Sequence, residues 1–233
     1  MVYYLFSIKK LKCPLLFFLD RMIFKDRNDA GRKLAEKLLN YKNKRSVIVL
    51  GIPRGGVVVA AEIAHRLQLP LEVVVIKKIG APGNEELAIG ATGTDYSNFR
   101  DDPIREYHLS SKYLQEQIRE KQQQARARYT FLRGNRKKLS VRGKIIILVD
   151  DGVAMGATMM TAIQILQKEK PKKIIVAIPV APPRAVYRLR EAVEEVICLR
   201  EEEYFTAIGQ FYADFNPVQE EEVRRILKKA STG

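Results

Sequence analysis

Two adjacent acids, Asp150 and Asp151, directly follow an unbroken aliphatic run, Ile145 to Val149. A run of this length and composition predicts a strand buried on both faces of a parallel sheet. A loop of small residues, Gly152 to Ala157, comes next, and Thr158 then opens a helical pattern. The N-terminus of a helix presents backbone N–H groups and the positive end of the helix dipole, which both favour an anion. Because paired carboxylates can bind hydroxyl groups or a hydrated cation, the combination predicts a sugar-phosphate site.

A second strand–loop–helix unit lies upstream, with the loop Gly51-Ile-Pro-Arg-Gly-Gly56 after an aliphatic strand. Gly55 and Gly56 allow the backbone to approach a ligand closely, and Arg54 supplies positive charge. A tight turn that simply requires glycine is the alternative interpretation of this loop. Lys77 ends the next Val-rich run and is expected to face the same crevice, with a surface lysine as the alternative.

The alternation of strand and helix patterns predicts a parallel sheet with right-handed crossovers. In chain order, the five expected strands are residues 46–50, 72–76, 145–149, 173–178 and 196–199. We expect the spatial order second, first, third, fourth, fifth, which reverses direction between the first and the third strand. Ligands of open α/β sheets bind at such a switch point. The Arg54 loop and the Asp150 loop are therefore predicted to face one crevice.

Ile146 to Thr158 resembles the signature of type I phosphoribosyltransferases, in which four apolar residues and two acids precede a loop of small residues and threonines. The chain departs from this pattern at Met155, where the family usually has a threonine that contacts the 5-phosphate of the ligand. The resemblance extends over nearly the whole chain from Met22 onward. It is closest to uncharacterised phosphoribosyltransferase-like proteins with an Asp-Asp-Gly loop and an aromatic tail, here Phe205 to Tyr212.

This resemblance implies an open, mainly parallel five-stranded sheet flanked by helices, with a helical insert and a hood. It also implies transfer of ribosyl 5-phosphate from phosphoribosyl diphosphate to a nitrogenous acceptor, with Mg²⁺ as cofactor. By the same resemblance, Asp150 and Asp151 bind the ribose hydroxyls and the metal. The pyrophosphate falls to Arg54, Gly55, Gly56 and Lys77. The 5-phosphate falls to Ala154, Met155, Gly156, Ala157 and Thr158.

Two other functions stay open at this point. The first is a regulator that senses phosphoribosyl diphosphate or a nucleotide without turnover, which the unusual Met155 favours. The second is a hydrolytic or phosphatase-like use of the fold, although the acid pair lacks Asp-x-Asp spacing. The acceptor and any general base are not readable from the sequence.

The net charge of +14 is concentrated rather than spread over the chain. Residues 112–144 contain 11 Lys or Arg and 2 Glu, which gives +9. This segment belongs to a basic helical insert, residues 94–143, within a single domain that spans residues 22–233. A solvated helix face is the favoured interpretation of the charge, and binding of RNA or another polyanion is the alternative.

The remaining composition excludes several classes of site. Two cysteines and two widely separated histidines provide neither a disulfide framework nor a metal-binding pattern. Residues 1–21 have apolar runs too short to span a membrane, and we interpret them as an extension or an over-called start. We expect a cytoplasmic protein that does not bind membranes, and a homodimer is possible.

Three further segments carry structural predictions. The Gly- and Pro-containing stretch Ile79 to Gly93 indicates a mobile loop, with a short return strand from Glu86 to Gly90. Ser110 or Ser111 is expected to cap the helix of the insert. The aromatic tail is expected to pack in the core or in a lid, with base stacking as the alternative.

Overall fold

The computed structural model describes residues 24–99, 108–134 and 138–230. Within these ranges there are six α-helices: Arg27–Lys37 (α1), Gly55–Leu67 (α2), Ser111–Arg133 (α3), Ala157–Lys168 (α4), Pro183–Ala192 (α5) and Glu220–Lys229 (α6). There are eight strands: Val47–Gly51 (β1), Leu71–Val73 (β2), Lys77–Ala81 (β3), Asn84–Thr92 (β4), Ser97–Phe99 (β5), Ile145–Val149 (β6), Lys173–Ala181 (β7) and Glu195–Glu201 (β8). The predicted extension, residues 1–21, lies outside the described part of the chain.

Five strands form the central parallel sheet, in the order β2-β1-β6-β7-β8. This confirms the predicted fold class and the predicted strand order. β1 and β6 are direct neighbours, with Gly51 opposite Val149 at their carboxyl ends. The point at which the strand order reverses therefore lies between the two loops that the sequence singles out.

Alternating side chains of the central strands enter two separate cores, because successive residues of a strand point to opposite faces of the sheet. Ile147 and Val149 of β6 pack with residues of α1, α2 and α6 on one face. Ile146 and Leu148 pack with residues of α4 and α5 on the other face. Helices on both faces explain why β6 is an almost continuous aliphatic run.

The other three strands form a small antiparallel sheet, β3-β4-β5, which we call the hood. The prediction of a loop for Ile79 to Gly93 was wrong, although the return strand is confirmed as part of β4. Pro82 and Gly83 make the turn between β3 and β4, and Gly83 has a positive φ of 73°. Ile79 and Ile89 are fully buried under the insert helix α3, which gives this ribbon a core of its own.

The insert helix α3 is confirmed, and its N-cap is Ser110, whose hydroxyl accepts a hydrogen bond from the N–H of Tyr113 at 3.2 Å. α3 packs against the hood and against α6. The helix thus joins the hood to the main domain. None of the helices within the described ranges is long and apolar enough to cross a membrane.

The aromatic tail packs into a core, as expected. Phe211 and Tyr212 are buried with Phe24, and Phe205 and Phe215 pack against them. A short 3₁₀-helix, Ile208–Phe211, carries part of this cluster. Phe24, which precedes α1, forms an isolated parallel bridge with Tyr212, so the beginning and the end of the domain are joined here.

Candidate active site

The glycine loop after β1 and the acidic loop after β6 lie against one another. The N–H of Ile52 donates to the carbonyl oxygen of Val149 at 2.9 Å. A Cβ atom added at Gly55 would collide with the carboxylate of Asp151, and one added at Gly56 would lie 2.8 Å from the Cα of Asp150. Only glycine therefore allows this approach, and the predicted meeting of the two loops is confirmed.

The two acids have different surroundings. Asp150 is half-buried, and its Oδ1 accepts the N–H of Asp151 at 2.9 Å. Burial, and after it the neighbouring carboxylate of Asp151, raises the pKa of Asp150 well above its usual range. The side chain of Asp151 is instead paired with Arg27, whose Nε donates to Asp151 Oδ2 at 2.7 Å. One acid is thus compensated by a cation of the protein, and its neighbour holds its proton more tightly.

The aromatic tail supports the backbone of the acidic loop. The hydroxyl of Tyr212 donates to the carbonyl oxygen of Asp151 at 2.6 Å in a buried position. A Cβ atom at Gly152 would lie 2.6 Å from the side chain of Ile208, so the 3₁₀-helix is in direct contact with this loop. The tail consequently fixes the acid pair from the side opposite the glycine loop.

The remainder of the acidic loop is open. Ala154, Met155, Ala157 and Thr158 are all exposed. α4 begins at Ala157, with no side chain capping it, after Gly156 in the left-handed conformation (φ 81°). The first N–H groups of a helix have no partner within the helix, so those of α4 are available to an anion.

Arg54 and Lys77 occupy different parts of the structure. Arg54 is exposed at the N-cap of α2, on the glycine loop, and the peptide bond between Pro53 and Arg54 is cis. The predicted strand ending at Lys77 was too long, because β2 ends at Val73. Lys77 is instead the half-buried first residue of the hood strand β3.

Comparison with known proteins gives the family. The model of the phosphoribosyl transferase domain matches residues 22–216, which is most of the chain. The protein belongs to the phosphoribosyl transferase domain family. The resemblance seen in the sequence is thereby confirmed.

Individual members of the family match over most of this chain. A protein provisionally named a phosphoribosyl transferase, found in two strains of Mycobacterium tuberculosis, is 39% identical over 209 residues. The match covers 89% of this chain and 47% of that protein, so the chain spans about half the length of these curated relatives.

Solved structures also share the fold of this phosphoribosyl transferase domain. The crystal structure of the protein TT1426 from Thermus thermophilus is 41% identical with a TM-score of 0.78, covering 89% of this chain and 99% of that one. A hypothetical protein from Neisseria gonorrhoeae, solved with bound ppGpp, has 16% identity and a TM-score of 0.50. It covers 90% of this chain and 97% of that one, and it shows the likeness of fold alone.

The acid pair fits the Mg²⁺ that phosphoribosyl transferases use. In the described part of the chain, no group of three or more His, Cys, Asp and Glu residues is placed to hold a metal ion. Mg²⁺, however, usually binds through one or two carboxylates and completes its shell with water and substrate phosphate oxygens. Asp150 and Asp151 are carboxylates of this kind, and no side chain of the adjacent Gly55 and Gly56 occupies the space beside them.

Arg27 and Tyr212 are the site residues that sequence reasoning missed. Neither belongs to a motif, since Arg27 is simply the first residue of α1 and Tyr212 stands among other tail aromatics. Only the folding of both ends of the domain against the acidic loop brings them to Asp151. The aromatic tail was noticed as a cluster, and that composition was the one available signal.

Proposed function

We propose that the protein transfers the ribosyl 5-phosphate group from phosphoribosyl diphosphate to a nitrogenous acceptor and releases pyrophosphate. The observation that carries this proposal is the contact of Gly55 and Gly56 with Asp151 and Asp150, next to the open N-terminus of α4. This arrangement offers a position for each part of the donor. The sugar hydroxyls meet the carboxylates, and the two phosphate ends meet the two loops.

In this reaction the bond between C1 of the ribose and the pyrophosphate oxygen breaks, and a bond from C1 to the acceptor nitrogen forms. The nitrogen loses its proton to solvent or to the departing pyrophosphate. The transition state resembles an oxocarbenium ion, so the protein contributes mainly orientation and electrostatic stabilisation. Asp150 and Asp151 orient the ribose through its hydroxyls, and Ala154 to Thr158 hold the 5-phosphate through backbone amides and the Thr158 hydroxyl.

The leaving group is assigned to the glycine loop. Arg54 is exposed there and supplies positive charge, and the two glycines leave room for the pyrophosphate oxygens. Lys77 of the hood is the further cation assigned to this group. Mg²⁺ held by Asp150 and Asp151 would neutralise part of the charge that develops on the pyrophosphate.

The first test is calorimetric titration with phosphoribosyl diphosphate, with and without Mg²⁺, and with ribose 5-phosphate as the control ligand. We expect metal-dependent binding of the diphosphate, followed by pyrophosphate release when a panel of purine, pyrimidine and other nitrogenous bases is added. Absence of binding to both ligands would contradict the proposal. Release of phosphate from simple phosphate esters would point instead to the hydrolytic alternative.

A non-catalytic sensor of phosphoribosyl diphosphate is the second candidate, and Met155 favours it. Its side chain is 83% exposed at the position where the family usually has a phosphate-binding threonine. A sensor would bind the diphosphate but release no pyrophosphate with any base. This outcome separates the two candidates in a single assay.

Binding of RNA through the basic insert has less support. Several of its cations are paired with acids within the protein, which lowers the free positive charge of the surface. The pairs are Arg126 and Lys138 with Asp95, Arg128 with Glu220, and Arg133 with Glu72. Salt-dependent retention on an RNA column would restore this possibility.

A further inference from the structure

Arg27 makes three contacts that hold its guanidinium group in one place. Its Nε donates to Asp151 Oδ2 at 2.7 Å, and its Nη1 donates to the carbonyl oxygen of Asn216 at 2.9 Å. Its Cζ lies 3.8 Å from the centroid of the Phe215 ring, which covers the flat face of the group. Planar stacking combined with directed N–H donors is a geometry that arginine provides and lysine does not.

The pair that Arg27 forms with Asp151 is largely shielded from solvent. The exposed fractions of the two side chains are 11% and 12%. The ring of Phe215 is held in turn by Tyr212, with ring centroids 4.9 Å apart. Tyr212 also donates its hydroxyl to the backbone of Asp151. The side chain and the backbone of this acid are thus fixed by one connected set of residues.

We propose that Arg27 is a positioning residue, which orients the carboxylate of Asp151 towards the ribose hydroxyls and the cation. This inference rests on the proposed function and adds a residue that no motif contains. Arg27 acts through Asp151 rather than on the ligand, because Nε and Nη1 are engaged and Phe215 covers one face. Residues that orient a ligating carboxylate typically change affinity by about 10–100-fold when they are replaced.

The position of Gly55 supports the same role. A Cβ atom at Gly55 would lie 2.7 Å from Arg27 Nε as well as colliding with Asp151. The glycine loop, the arginine and the acid therefore meet at one point. Arg27 determines how far the Asp151 carboxylate can turn towards the glycine loop, on which the pyrophosphate is proposed to bind.

The test uses the full chain and three variants. Arg27→Gln removes the charge and the stacking, Arg27→Lys keeps the charge alone, and Arg32→Gln is the matched control. Arg32 lies on the same helix, is 37% exposed in its side chain, and is paired with Asp29 at 3.7 Å. Affinity for phosphoribosyl diphosphate with Mg²⁺ is measured by calorimetry, folding is checked by thermal unfolding, and the unliganded Arg27→Gln protein is crystallised.

We expect Arg27→Gln to bind phosphoribosyl diphosphate about 10–100-fold more weakly, Arg27→Lys to lose less, and Arg32→Gln to match the wild type. The crystal structure of Arg27→Gln is expected to show the Asp151 carboxylate in a different orientation. If Arg27→Gln does not fold, Arg27→Lys and Phe215→Leu replace it, and each is expected to weaken binding by a smaller factor.

Three results would overturn the proposal. Unchanged affinity in the folded variants would show that the pair has no role in binding. Weakened affinity with Asp151 unmoved would mean that Arg27 contacts the ligand itself. A wild-type protein that binds no phosphoribosyl diphosphate would refute the proposed function, and the role of Arg27 with it.

Discussion

The loops that follow β1 and β6 are built on the same plan and have opposite surroundings. Each joins a buried parallel strand to a helix and contains glycine. In the first loop, glycine is required by close packing, since Cβ atoms at Gly55 and Gly56 would meet the acid pair. In the second, Gly156 has open surroundings, with the nearest atom to an added Cβ at 3.7 Å, and glycine suits its positive φ of 81°.

This difference assigns a separate task to each loop. The glycine loop forms a wall against which Asp150 and Asp151 are set, and a change there disturbs the acids directly. The acidic loop is rigid at its start, where Tyr212 and Arg27 hold Asp151, and open from Ala154 to Thr158. A phosphate can enter at the open end without displacing any packed side chain.

The largest effect is expected at the acids that both loops share. Asp150→Asn combined with Asp151→Asn should abolish calorimetric binding of phosphoribosyl diphosphate, a loss of at least about 100-fold. Truncating one partner of a buried, hydrogen-bonded charged contact alone costs about 2–5 kcal/mol. The variant should also unfold at a lower temperature, because Arg27 keeps its charge in a shielded position without a carboxylate.

Asp95→Asn is the matched control for the acid pair. It removes a surface carboxylate that is paired with Lys138, outside the two loops. Its affinity for phosphoribosyl diphosphate should equal that of the wild type. Full affinity in the double variant would show that the ligand binds elsewhere, and the contrast between the loops would lose its functional meaning.

A single added methyl group should separate the two loops. Gly55→Ala is expected to destabilise the fold by about 1–3 kcal/mol through overpacking and to abolish ligand binding, because it displaces Asp151. Gly156→Ala is expected to cost roughly 1–2 kcal/mol from its left-handed backbone while the acid pair stays in place. Urea unfolding and calorimetry on both variants measure the two effects. Equal loss of binding in the two variants would remove the distinction between wall and mouth.

The sequence predicted the sheet well because its signal is local. The aliphatic run of β6 and the alternation of strands with helices were enough to place the two loops together, since parallel strands end at one edge of a sheet. The hood was misjudged because Pro82 and Gly83 suggested a loop throughout. The ribbon has irregular pairing at Ile79, Gly80 and Ala81, and it is stabilised by α3, which is distant in sequence.

The role of Arg27 could not be predicted for a related reason. Its partners, Asp151, Phe215 and Asn216, come from segments far apart in the chain. A contact of this kind depends on the final packing of both ends of the domain rather than on any spacing of residues. The assignments of Arg54, Lys77 and the phosphate-binding residues stay predictions until ligand binding is measured.

Met155 offers a way to improve the open loop without disturbing the wall. Met155→Thr should strengthen binding of phosphoribosyl diphosphate by several-fold, because a net hydrogen bond is worth about 1 kcal/mol. Stability should stay within about 0.5 kcal/mol, since the methionine side chain is mostly exposed. Met155→Ala is the control, which removes the thioether without adding a hydroxyl. Weaker binding in Met155→Thr would indicate that the methionine supports the shape of the loop.

The smallest effect concerns the unequal titration of the two acids, measured as the free energy of unfolding in urea over a pH series. The folded protein binds the Asp150 proton more tightly than the unfolded chain, because burial and Asp151 raise the pKa of Asp150. This contribution to stability is complete below the ordinary carboxyl pKa of about 4, and it is lost as pH rises through the raised pKa. Asp150→Asn should remove that decline, while its amide oxygen can still accept the N–H of Asp151. Asp151→Asn should only reduce the decline, because burial, the larger cause, remains. Identical pH dependence in the wild type and Asp150→Asn would mean that the glycine loop does not enclose the Asp150 carboxyl group, and the wall would then be more open than its packing indicates.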